Sequence, residues 1–337
     1  MISAPALFRP PHPLDRMRRL AYATLALLAA CVLSIGTALI FFDPPRPPPL
    51  DSIAAPFVTM DYSRLPATLR YAARDGAQLA YRAYPAPGAA ADGPVAVLVH
   101  GSSGSGRGMH AMAEYLQGAG ISAYTLDMRG HGESGPRGDI PYIGQLEDDL
   151  EDFVARVLAG RSNTALVGHS SGGGFALRFA AGGRQKLFSR YVLFAPYLGY
   201  DAPTVRPANQ AWVNVSVPRI VALSVLGSFG EKRLGHLPVV RFAVTPAREQ
   251  YQTPWYSFRL WASFQAHRDF RADIRAAAQR LDVIVGSNDE LFDAAAFAPL
   301  FAGLRPATTV TVLPGLTHMT LTTMPAGAQA LAELLKR

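Results

Sequence analysis

The 337-residue sequence predicts an α/β fold built on a mostly parallel sheet, and three observations support this class. Short apolar runs alternate with stretches of helical character over most of the chain. A glycine-rich turn joins one of these runs directly to a helix-like segment. An early hairpin signal adds two antiparallel strands ahead of the alternation. We therefore expect eight strands, with helices covering both faces of the sheet.

The first two strands are predicted as a hairpin. Strand-like runs at 69–74 and 77–84 flank the turn dipeptide Asp75-Gly76. Six further apolar runs have the length of buried strands, and they lie at 95–99, 121–126, 165–167, 191–194, 283–285 and 310–313. Helix candidates lie between these runs, near 108–118, 142–160, 172–182, 293–303 and 326–336. The eight runs together predict one large sheet.

The alternation of strands and helices breaks between about residues 200 and 260. This segment is rich in proline and bulky apolar residues, as in 215–226 and 255–261. We interpret it as a cap inserted after the sixth strand, over the C-terminal edge of the sheet, where loops build ligand sites. An ordinary helical insertion without substrate contact is the alternative.

An apolar segment at residues 20–42 contains no charged side chain. As a helix it would be about 34 Å long, which is enough to cross a bilayer core of about 30 Å. Four arginines precede it, at positions 9, 16, 18 and 19, whereas Arg46 alone follows within about 20 residues. We predict a single-pass inner-membrane anchor with residues 1–19 in the cytoplasm. The rest of the chain would lie on the extracytoplasmic, periplasmic side.

Three other interpretations of the apolar segment stay open. A cleaved secretory signal would need a shorter apolar core and a small-residue cleavage site. Residues 28–31 resemble a lipoprotein box that would be cleaved before Cys31, although the sequence stays apolar beyond it. A buried core helix is the third interpretation.

The proline-rich run after the apolar segment predicts an extended stalk over residues 43–64, ahead of a globular domain at 65–337.

Composition excludes several classes of protein. Hydrophobic residues make up 49% and charged residues 17% of the chain, which excludes a disordered chain. The net charge of +7 is not clustered into a nucleic-acid-binding motif, so we expect no nucleic-acid partner. A single cysteine, Cys31, excludes an intrachain disulfide and a cysteine metal site. The oligomeric state is not predicted.

The residues Gly168-His169-Ser170-Ser171-Gly172 connect the apolar run at 165–167 to a helix-like run that begins near Phe175. This is a G-x-S-x-G nucleophile elbow in its strand–turn–helix context. The turn is so tight that both glycines must leave room for the backbone, and it raises the hydroxyl of Ser170 above the sheet. The pattern predicts a serine nucleophile facing the free N–H groups of a helix N-terminus.

A serine hydroxyl needs an adjacent imidazole to take its proton, and the imidazole needs an acid to orient it. In this strand–turn–helix class the chain order is serine, acid, histidine. His318 follows a late strand and satisfies this order, whereas His236 and His267 precede the best acids. His318 is therefore the predicted base.

Asp289 is the leading candidate for the acid. It follows the strand at 283–285, in a turn that Gly286 opens. Glu290 and Asp293 are neighbouring alternatives, but Asp293 is better placed to cap a helix that begins at Ala294.

Two further glycine-rich segments are predicted to be structural. Residues 129–132, with the sequence Arg-Gly-His-Gly, form a turn after the fourth strand. Residues 101–108 imitate a phosphate-binding P-loop but lack its lysine, so we expect no nucleotide. No metal or organic cofactor is required by the predicted chemistry.

The motifs occur together in one order: His100-Gly-Ser-Ser-Gly104, Asp127-Met-Arg-Gly-His-Gly132, Gly168-His-Ser-Ser-Gly172, Gly286-Ser-Asn-Asp289 and Gly315-Leu-Thr-His318. On these motifs, residues 65–337 resemble the α/β-hydrolase superfamily, in its lysophospholipase and monoacylglycerol-lipase-like branch. Serine aminopeptidase-like enzymes are similar relatives. The resemblance implies an oxyanion hole made by the backbone N–H groups of Ser102 and Ser171.

The resemblance implies a serine hydrolase that cleaves carboxylic esters through an acyl-enzyme. Ser170 would attack, His318 would transfer the proton and Asp289 would orient the histidine. The apolar insertion and the membrane anchor favour a lipid-like ester. Two alternatives stay open: a serine aminopeptidase-like peptidase, and a non-catalytic binding protein on the same fold.

Overall fold

The computed structural model describes residues 13–88, 90, 92–206 and 212–337, without the side chains at 13, 51, 52 and 54. Most of the predicted cytoplasmic N-terminus, residues 1–12, lies outside these ranges, as do residues 207–211 of the predicted cap. The chain divides into two compact units. The first contains the described residues up to Asp43 and Ser216–Lys232, and the second contains Pro44–Val215 and Arg233–Arg337.

The second unit is built on an eight-stranded sheet. The strands of the described residues are β1 Leu69–Ala72, β2 Gln78–Tyr84, β3 Val95–Val99, β4 Ser122–Leu126, β5 Thr164–His169, β6 Arg190–Phe194, β7 Val213–Val215, β8 Pro238–Phe242, β9 Trp255–Ser257, β10 Arg280–Gly286 and β11 Thr309–Leu313. The large sheet has the order β1-β2-β4-β3-β5-β6-β10-β11. Its β1–β2 and β2–β4 pairs are antiparallel and the other pairs are parallel. The predicted sheet of eight strands is confirmed.

The central strands are apolar because they are covered on both faces. Every residue of β3 is buried, and so is every residue of β5. A parallel strand with helices above and below it has no solvent face, so its sequence is a continuous apolar run rather than an alternation. This is why these strands could be predicted from short runs of valine, leucine and alanine.

The α-helices in the part of the chain that the structure describes are α1 Pro13–Phe41, α2 Asp51–Val58, α3 His110–Gly118, α4 Gln145–Val157, α5 Ser171–Ala181, α6 Val217–Ser228, α7 Phe258–Ser263, α8 Phe270–Ala276, α9 Ala294–Leu304, α10 Thr320–Thr323 and α11 Pro325–Leu335. Five of them, α3, α4, α5, α9 and α11, lie where the sequence predicts them. In α4, Leu146, Leu150 and Phe153 are buried, together with the polar Gln145 and Asp149. The i, i+4, i+7 spacing of the three apolar residues forms the apolar face of a surface helix.

The segment between β6 and β10 is more mixed than the predicted cap. Strands β7, β8 and β9 form a small antiparallel sheet in the second unit. Helix α6, which lies between β7 and β8 in the sequence, belongs to the first unit. The small sheet was not predicted, because β7 and β9 have three residues each and are too short to show an alternating pattern.

The chain after the apolar segment differs from the predicted extended stalk. Residues 51–58, which belong to the second unit, form the helix α2. Ile53 of this helix is buried, with 2% of its surface exposed. Arg46 and Glu249 form an ion pair at 2.6 Å. Ile53 and Phe57 are four positions apart and share one helix face, so α2 has an apolar side that can be buried.

The first unit pairs two helices. Helix α1 begins before the predicted span at residue 20, and its candidate membrane span, Leu14–Phe41, has 28 residues. By length and composition alone this helix is enough to cross a membrane, although its first turns are charged. It packs against α6. Arg219 of α6 donates hydrogen bonds to the backbone carbonyl of Leu39 at 2.9 Å and to the carboxylate of Asp43 at 2.8 Å. The C-terminal end of α1 is thus tied to a helix that is distant in sequence.

Candidate active site

Ser170 occupies a strained turn between β5 and α5. Its backbone has φ 56° and ψ −119°, in a region that residues with a side chain rarely adopt. A Cβ atom on Gly168 would lie 2.0 Å from the carbonyl oxygen of Gly172, and one on Gly172 would lie 2.3 Å from that of His100. Only glycine fits at either position. The spacing of the motif is therefore a steric requirement of the turn.

Asp289 and His318 meet at the ends of two adjacent parallel strands, β10 and β11. The Nδ1 atom of His318 lies 2.8 Å from Oδ2 of Asp289, and both side chains are almost fully buried. The other carboxylate oxygen accepts hydrogen bonds from the N–H groups of Leu291 and Phe292, each at 2.9 Å.

The electrostatics of this pair favour an ionised acid. Burial raises the pKa of Asp289, but the charge and hydrogen bond of His318 and the two backbone N–H groups outweigh it and lower the pKa below its usual value. The carboxylate is therefore ionised at neutral pH and holds the proton of His318 on Nδ1.

Ser170 and His318 line the same cavity. The Nε2 atom of His318 is buried and has no hydrogen-bond partner among the described residues, and no hydrogen bond joins it to the Ser170 hydroxyl. Its ring lies beside that of His169, with centroids 4.6 Å apart. Hydrogen bonds between a catalytic serine and its base are often long without substrate and close when substrate binds.

The other acids and histidines considered from the sequence have separate tasks. Oε2 of Glu290 accepts the backbone N–H of His318 at 3.0 Å, so it fixes the loop and not the imidazole. Asp293 caps α9 and accepts the N–H of Ala295 at 3.2 Å, as predicted. Neither His236 nor His267 lines a cavity that contains Ser170.

The loop after β3, residues 100–104, carries the predicted oxyanion donor Ser102. The N–H of Ser103 donates to the hydroxyl of Tyr256 at 2.6 Å, and that hydroxyl lies 2.5 Å from Nε2 of His131. Burial lowers the pKa of His131 well below its usual value, so the ring is neutral and Nε2 accepts the tyrosine proton. The indole N–H of Trp212 donates to the Ser102 hydroxyl at 3.3 Å.

These contacts give the loop a support that the sequence did not reveal. Tyr256 and Trp212 are more than 100 positions away from the loop.

The backbone N–H groups of Ser102 and Ser171 make no hydrogen bond within the described part of the chain. His131 acts here as a structural residue, and Arg129 forms ion pairs with Asp149 and Asp75, in agreement with the structural turn predicted at 129–132.

Two cavities meet at Ser170, and both lie within the second unit. Cavity A has a volume of about 240 Å³. The residues that line it are Ile53, Phe57, Tyr62, His100, Gly101, Ser102, Gly104, Ser105, Arg107, Gly108, Met109, His169, Ser170, Trp212, Ala247, Arg248, Tyr251, Gln252, Leu291, His318, Met319 and Thr322. Cavity B has a volume of about 700 Å³. The residues that line it are Ser102, Ser170, Ser171, Tyr197, Tyr200, Val205, Arg206, Trp212, Val213, Asn214, Val215, Val240, Phe242, Tyr256, Trp261, Phe264, Gln265, Leu291 and Phe292. Ser102, Ser170, Trp212 and Leu291 border both.

Two of the histidines that line cavity A with Ser170 are neutral. Burial and the neighbouring His318 lower the pKa of His169 to about 3, and burial lowers the pKa of His100. Within the described ranges, no group of three or more His, Cys, Asp or Glu side chains is arranged to hold a metal ion. Ser170 and the buried His318–Asp289 pair are therefore the candidates for chemistry at this junction.

Comparison with known proteins places the chain in a family. The family model for serine aminopeptidase S33 matches residues 92–323, which is more than half of the sequence. The chain therefore belongs to this family of hydrolases, within the α/β-hydrolase superfamily.

Relatives within the superfamily include monoacylglycerol lipases. The chain is 37% identical over 108 residues to the monoacylglycerol lipase of Mycolicibacterium smegmatis; the match covers 30% of this chain and 37% of that lipase. The chain thus spans little more than a third of the length of this curated relative.

Solved structures show the same fold. A soluble variant of monoglyceride lipase from Saccharomyces cerevisiae has a TM-score of 0.59 and 18% identity, over 80% of this chain and 94% of that one. The monoacylglycerol lipase of Paleococcus ferrophilus has a TM-score of 0.57 and 20% identity, over 76% and 98%. At 18–20% identity, these likenesses concern the fold, which is that of the α/β-hydrolases.

Proposed function

We propose that this protein is a membrane-anchored serine esterase that cleaves lipid-like carboxylic esters. The observation that carries the proposal is the position of Ser170, on a strained elbow where two largely apolar cavities meet, beside a buried His318–Asp289 pair. The monoacylglycerol lipases among its relatives agree with an ester as the substrate.

The proposed reaction proceeds through an acyl-enzyme. Nε2 of His318 takes the proton of Ser170 while the hydroxyl oxygen attacks the ester carbonyl. The N–H groups of Ser102 and Ser171 stabilise the resulting oxyanion, and loss of one such donor typically costs about 3–4 kcal/mol. His318 then protonates the leaving alkoxide, so that the alcohol departs and the acyl group stays on the serine. Water, deprotonated by His318, releases the carboxylic acid and restores the enzyme.

The two cavities suit the two parts of an ester. Cavity B is the larger and is rich in aromatic and branched side chains, among them Phe242, Trp261 and Phe292. We assign the acyl chain to it and the alcohol portion to cavity A. Because β7, β8, β9 and α7 supply much of its wall, the inserted segment contacts substrate in this proposal, as a cap would.

A peptidase that removes N-terminal residues is less compatible with these cavities. Such an enzyme needs a carboxylate to bind the free amine of its substrate. No Asp or Glu is among the described residues that line cavity A or cavity B. A non-catalytic scaffold, in turn, gives no reason for a strained serine next to a buried histidine–carboxylate pair.

A retained membrane anchor is supported by the first unit. The carbonyl of Leu39 and the carboxylate of Asp43 are the partners of Arg219 on α6, so removal of α1 would leave α6 without its packing partner. Val217, Val221 and Val225 on α6 and Phe229 directly after it are exposed at four-residue intervals, and this apolar stripe suits the lipid interface beside the anchor.

The nucleophile assignment is tested with a fluorophosphonate probe. We expect the wild type to be labelled and Ser170→Ala to lose labelling completely. Ser189→Ala is the matched control. Ser189 directly precedes β6, at the end of the parallel strands opposite to the one that carries Ser170, and its hydroxyl donates to the carbonyl of Thr164. Persistent labelling of the Ser170→Ala variant would refute the assignment.

Substrate class is tested next with purified wild type. A panel of aryl esters of increasing chain length is compared with aminoacyl arylamides at equal concentration. Faster turnover of the arylamides would replace the esterase proposal with a peptidase. Ester hydrolysis that depends on Ser170 supports the proposal.

Topology and processing need two separate measurements. An alkaline-phosphatase fusion after residue 60 should be active if the catalytic unit is extracytoplasmic. The intact mass of the membrane-extracted protein should include residues 1–42. A mass that begins at Cys31 with added lipid, or that lacks the apolar segment, would contradict the uncleaved anchor.

A further inference from the structure

Cavity A carries a positive charge that no described side chain of its wall neutralises. Arg107 and Arg248 both line it, and its described lining contains no Asp or Glu. Of the three histidines in its described lining, His100 and His169 have pKa values lowered by burial, so they add no charge at neutral pH, and His318 is paired with the carboxylate of Asp289. Two guanidinium groups thus set the charge of the cavity.

Arg107 is held by aromatic rings. Its guanidinium carbon lies 3.7 Å from the ring centroid of Tyr62 and 4.6 Å from that of Tyr251. Among the described residues, no carboxylate lies within 4 Å of this group, whereas Arg129, Arg178 and Arg259 are each paired with an acid. The tyrosines hold the cation in position without supplying a counter-ion.

Arg107 therefore has aromatic neighbours but no acidic partner among the described residues. A guanidinium carries five N–H donors in a fixed fork that matches phosphate or carboxylate oxygens, so this group can bind an anion that enters the cavity. Placing such a cation in a largely apolar cavity costs free energy unless an anion arrives to pair with it.

Arg248 adds a second cation to the same wall. It is half-buried and has no carboxylate within 4 Å in the described ranges. The N–H of Tyr251 donates to its backbone carbonyl at 2.9 Å, so the ring above Arg107 and the second guanidinium belong to one turn. Tyr62, Arg107, Arg248 and Tyr251 form what we call the basic clamp.

We infer that the basic clamp binds an anionic group, phosphate or carboxylate, on the alcohol portion of the ester substrate. This inference rests on the proposed esterase function and narrows it. The preferred substrates are monoacyl lipids with a negatively charged polar end, with the acyl chain in cavity B and the charge in cavity A. Ser170, which borders both, then faces the ester bond between them.

The test compares three substrates with the same acyl chain: a neutral monoacylglycerol, its phosphate monoester, and its succinate monoester with a free carboxylate. Wild type should have a higher kcat/KM for at least one anionic substrate than for the neutral one. In Arg107→Gln, we expect kcat/KM for that substrate to fall about 10- to 100-fold, as loss of a charged hydrogen bond predicts. The neutral substrate should change less than about twofold, since the clamp contributes nothing to it.

Two further variants separate charge, geometry and folding. Arg107→Lys keeps the charge but loses the planar fork, so its kcat/KM for the anionic substrate should be intermediate. Arg271→Gln is the matched control, because Arg271 also lies over a ring, that of Phe270 at 4.6 Å, but lines neither cavity. The labelling rate with a neutral fluorophosphonate should be unchanged in Arg271→Gln, and labelling of the two Arg107 variants checks that they are folded with an accessible Ser170.

The outcomes distinguish this inference from the proposed function. Preference for the phosphate alone, for the carboxylate alone, or for both supports the clamp and identifies the anion. Equal kcat/KM for neutral and anionic substrates in wild type would overturn the clamp while leaving the esterase intact. An equal loss on neutral and anionic substrates in Arg107→Gln would also overturn it. Absence of labelling in wild type would instead remove the esterase proposal.

Discussion

Cavities A and B border the same serine, yet they use arginine in opposite ways. In cavity B, Nε of Arg206 donates to the carbonyls of Asp289 and Phe292 at 3.1 and 3.0 Å, and the group lies 3.7 Å from Asp293. In cavity A, Arg107 has rings on two sides and no described carboxylate. The first arginine stabilises the loop that holds the acid, and the second is available to a ligand.

The difference shows that the residue type does not decide whether a charge is structural or functional. Both side chains are arginines on loops beside the nucleophile. The partners already bound within the chain determine what remains for substrate, and a guanidinium beside a carboxylate offers less to an anion than one without an acidic neighbour. The following experiments, from the largest expected effect to the smallest, test how far this distinction holds.

Loss of the acid should affect both cavities equally. We expect Asp289→Asn to lower kcat about 10⁴-fold on every substrate, because the amide no longer holds the tautomer of His318. Steady-state kinetics on neutral and anionic esters measure this. Asp293→Asn, whose amide still caps α9, should stay within about twofold. A loss confined to one substrate class would show that the acid is not shared.

Narrowing cavity B should change the preference for acyl length alone. In Val213→Phe, exclusion of two methylenes at about 0.8 kcal/mol each predicts roughly a 15-fold loss of kcat/KM on long-chain esters. Short-chain esters should react as in wild type. Val312→Phe, at an exposed position that lines neither cavity, serves as the control. Equal losses at all chain lengths would contradict the assignment of the acyl chain to cavity B.

Removing the hydroxyl of Tyr256 should weaken the support of the oxyanion loop. Tyr256→Phe leaves the N–H of Ser103 and Nε2 of His131 without this partner, and we expect about a tenfold lower kcat on all esters. KM should change little, because the ring still lines cavity B. An unchanged kcat would mean that the loop keeps its position without the hydrogen bond.

The smallest effect is expected at Arg206. Its charge is already paired, so Arg206→Gln should change the ratio of anionic to neutral kcat/KM by less than about twofold. The free energy of unfolding should fall by about 1 kcal/mol from the lost bonds to two carbonyls, which chemical denaturation measures. A strong loss of anion preference here would place the anion in cavity B and reverse the comparison.

Much of the site was predictable because its chemistry depends on local sequence. The elbow requires glycine at 168 and 172 on steric grounds, and Asp293 caps its own helix. The pairing of Asp289 with His318 followed from parallel strands that end at the same edge. The assignment of Ser170, Asp289, His318, Ser102 and Ser171 to catalysis remains a prediction that the labelling and kinetic experiments test.

The residues that the sequence did not reveal act across long separations. Tyr256 and Trp212 contact the loop at 100–104 from a segment that has no regular periodicity. Residues 51–58 had the composition of a stalk, but Ile53 and Phe57 give them an apolar helix face that lines cavity A. Such contacts depend on which surfaces meet in three dimensions, and a one-dimensional pattern does not record that.

The sequence by itself determined the α/β sheet, the elbow and the apolar first helix, because each depends on residues that are near one another in the chain. The tertiary structure alone decided that Arg107 lies between Tyr62 and Tyr251 while Arg206 is held by carbonyls. The physical reason is that the free energy of a buried charge depends on the groups around it, and folding chooses those groups from the whole chain.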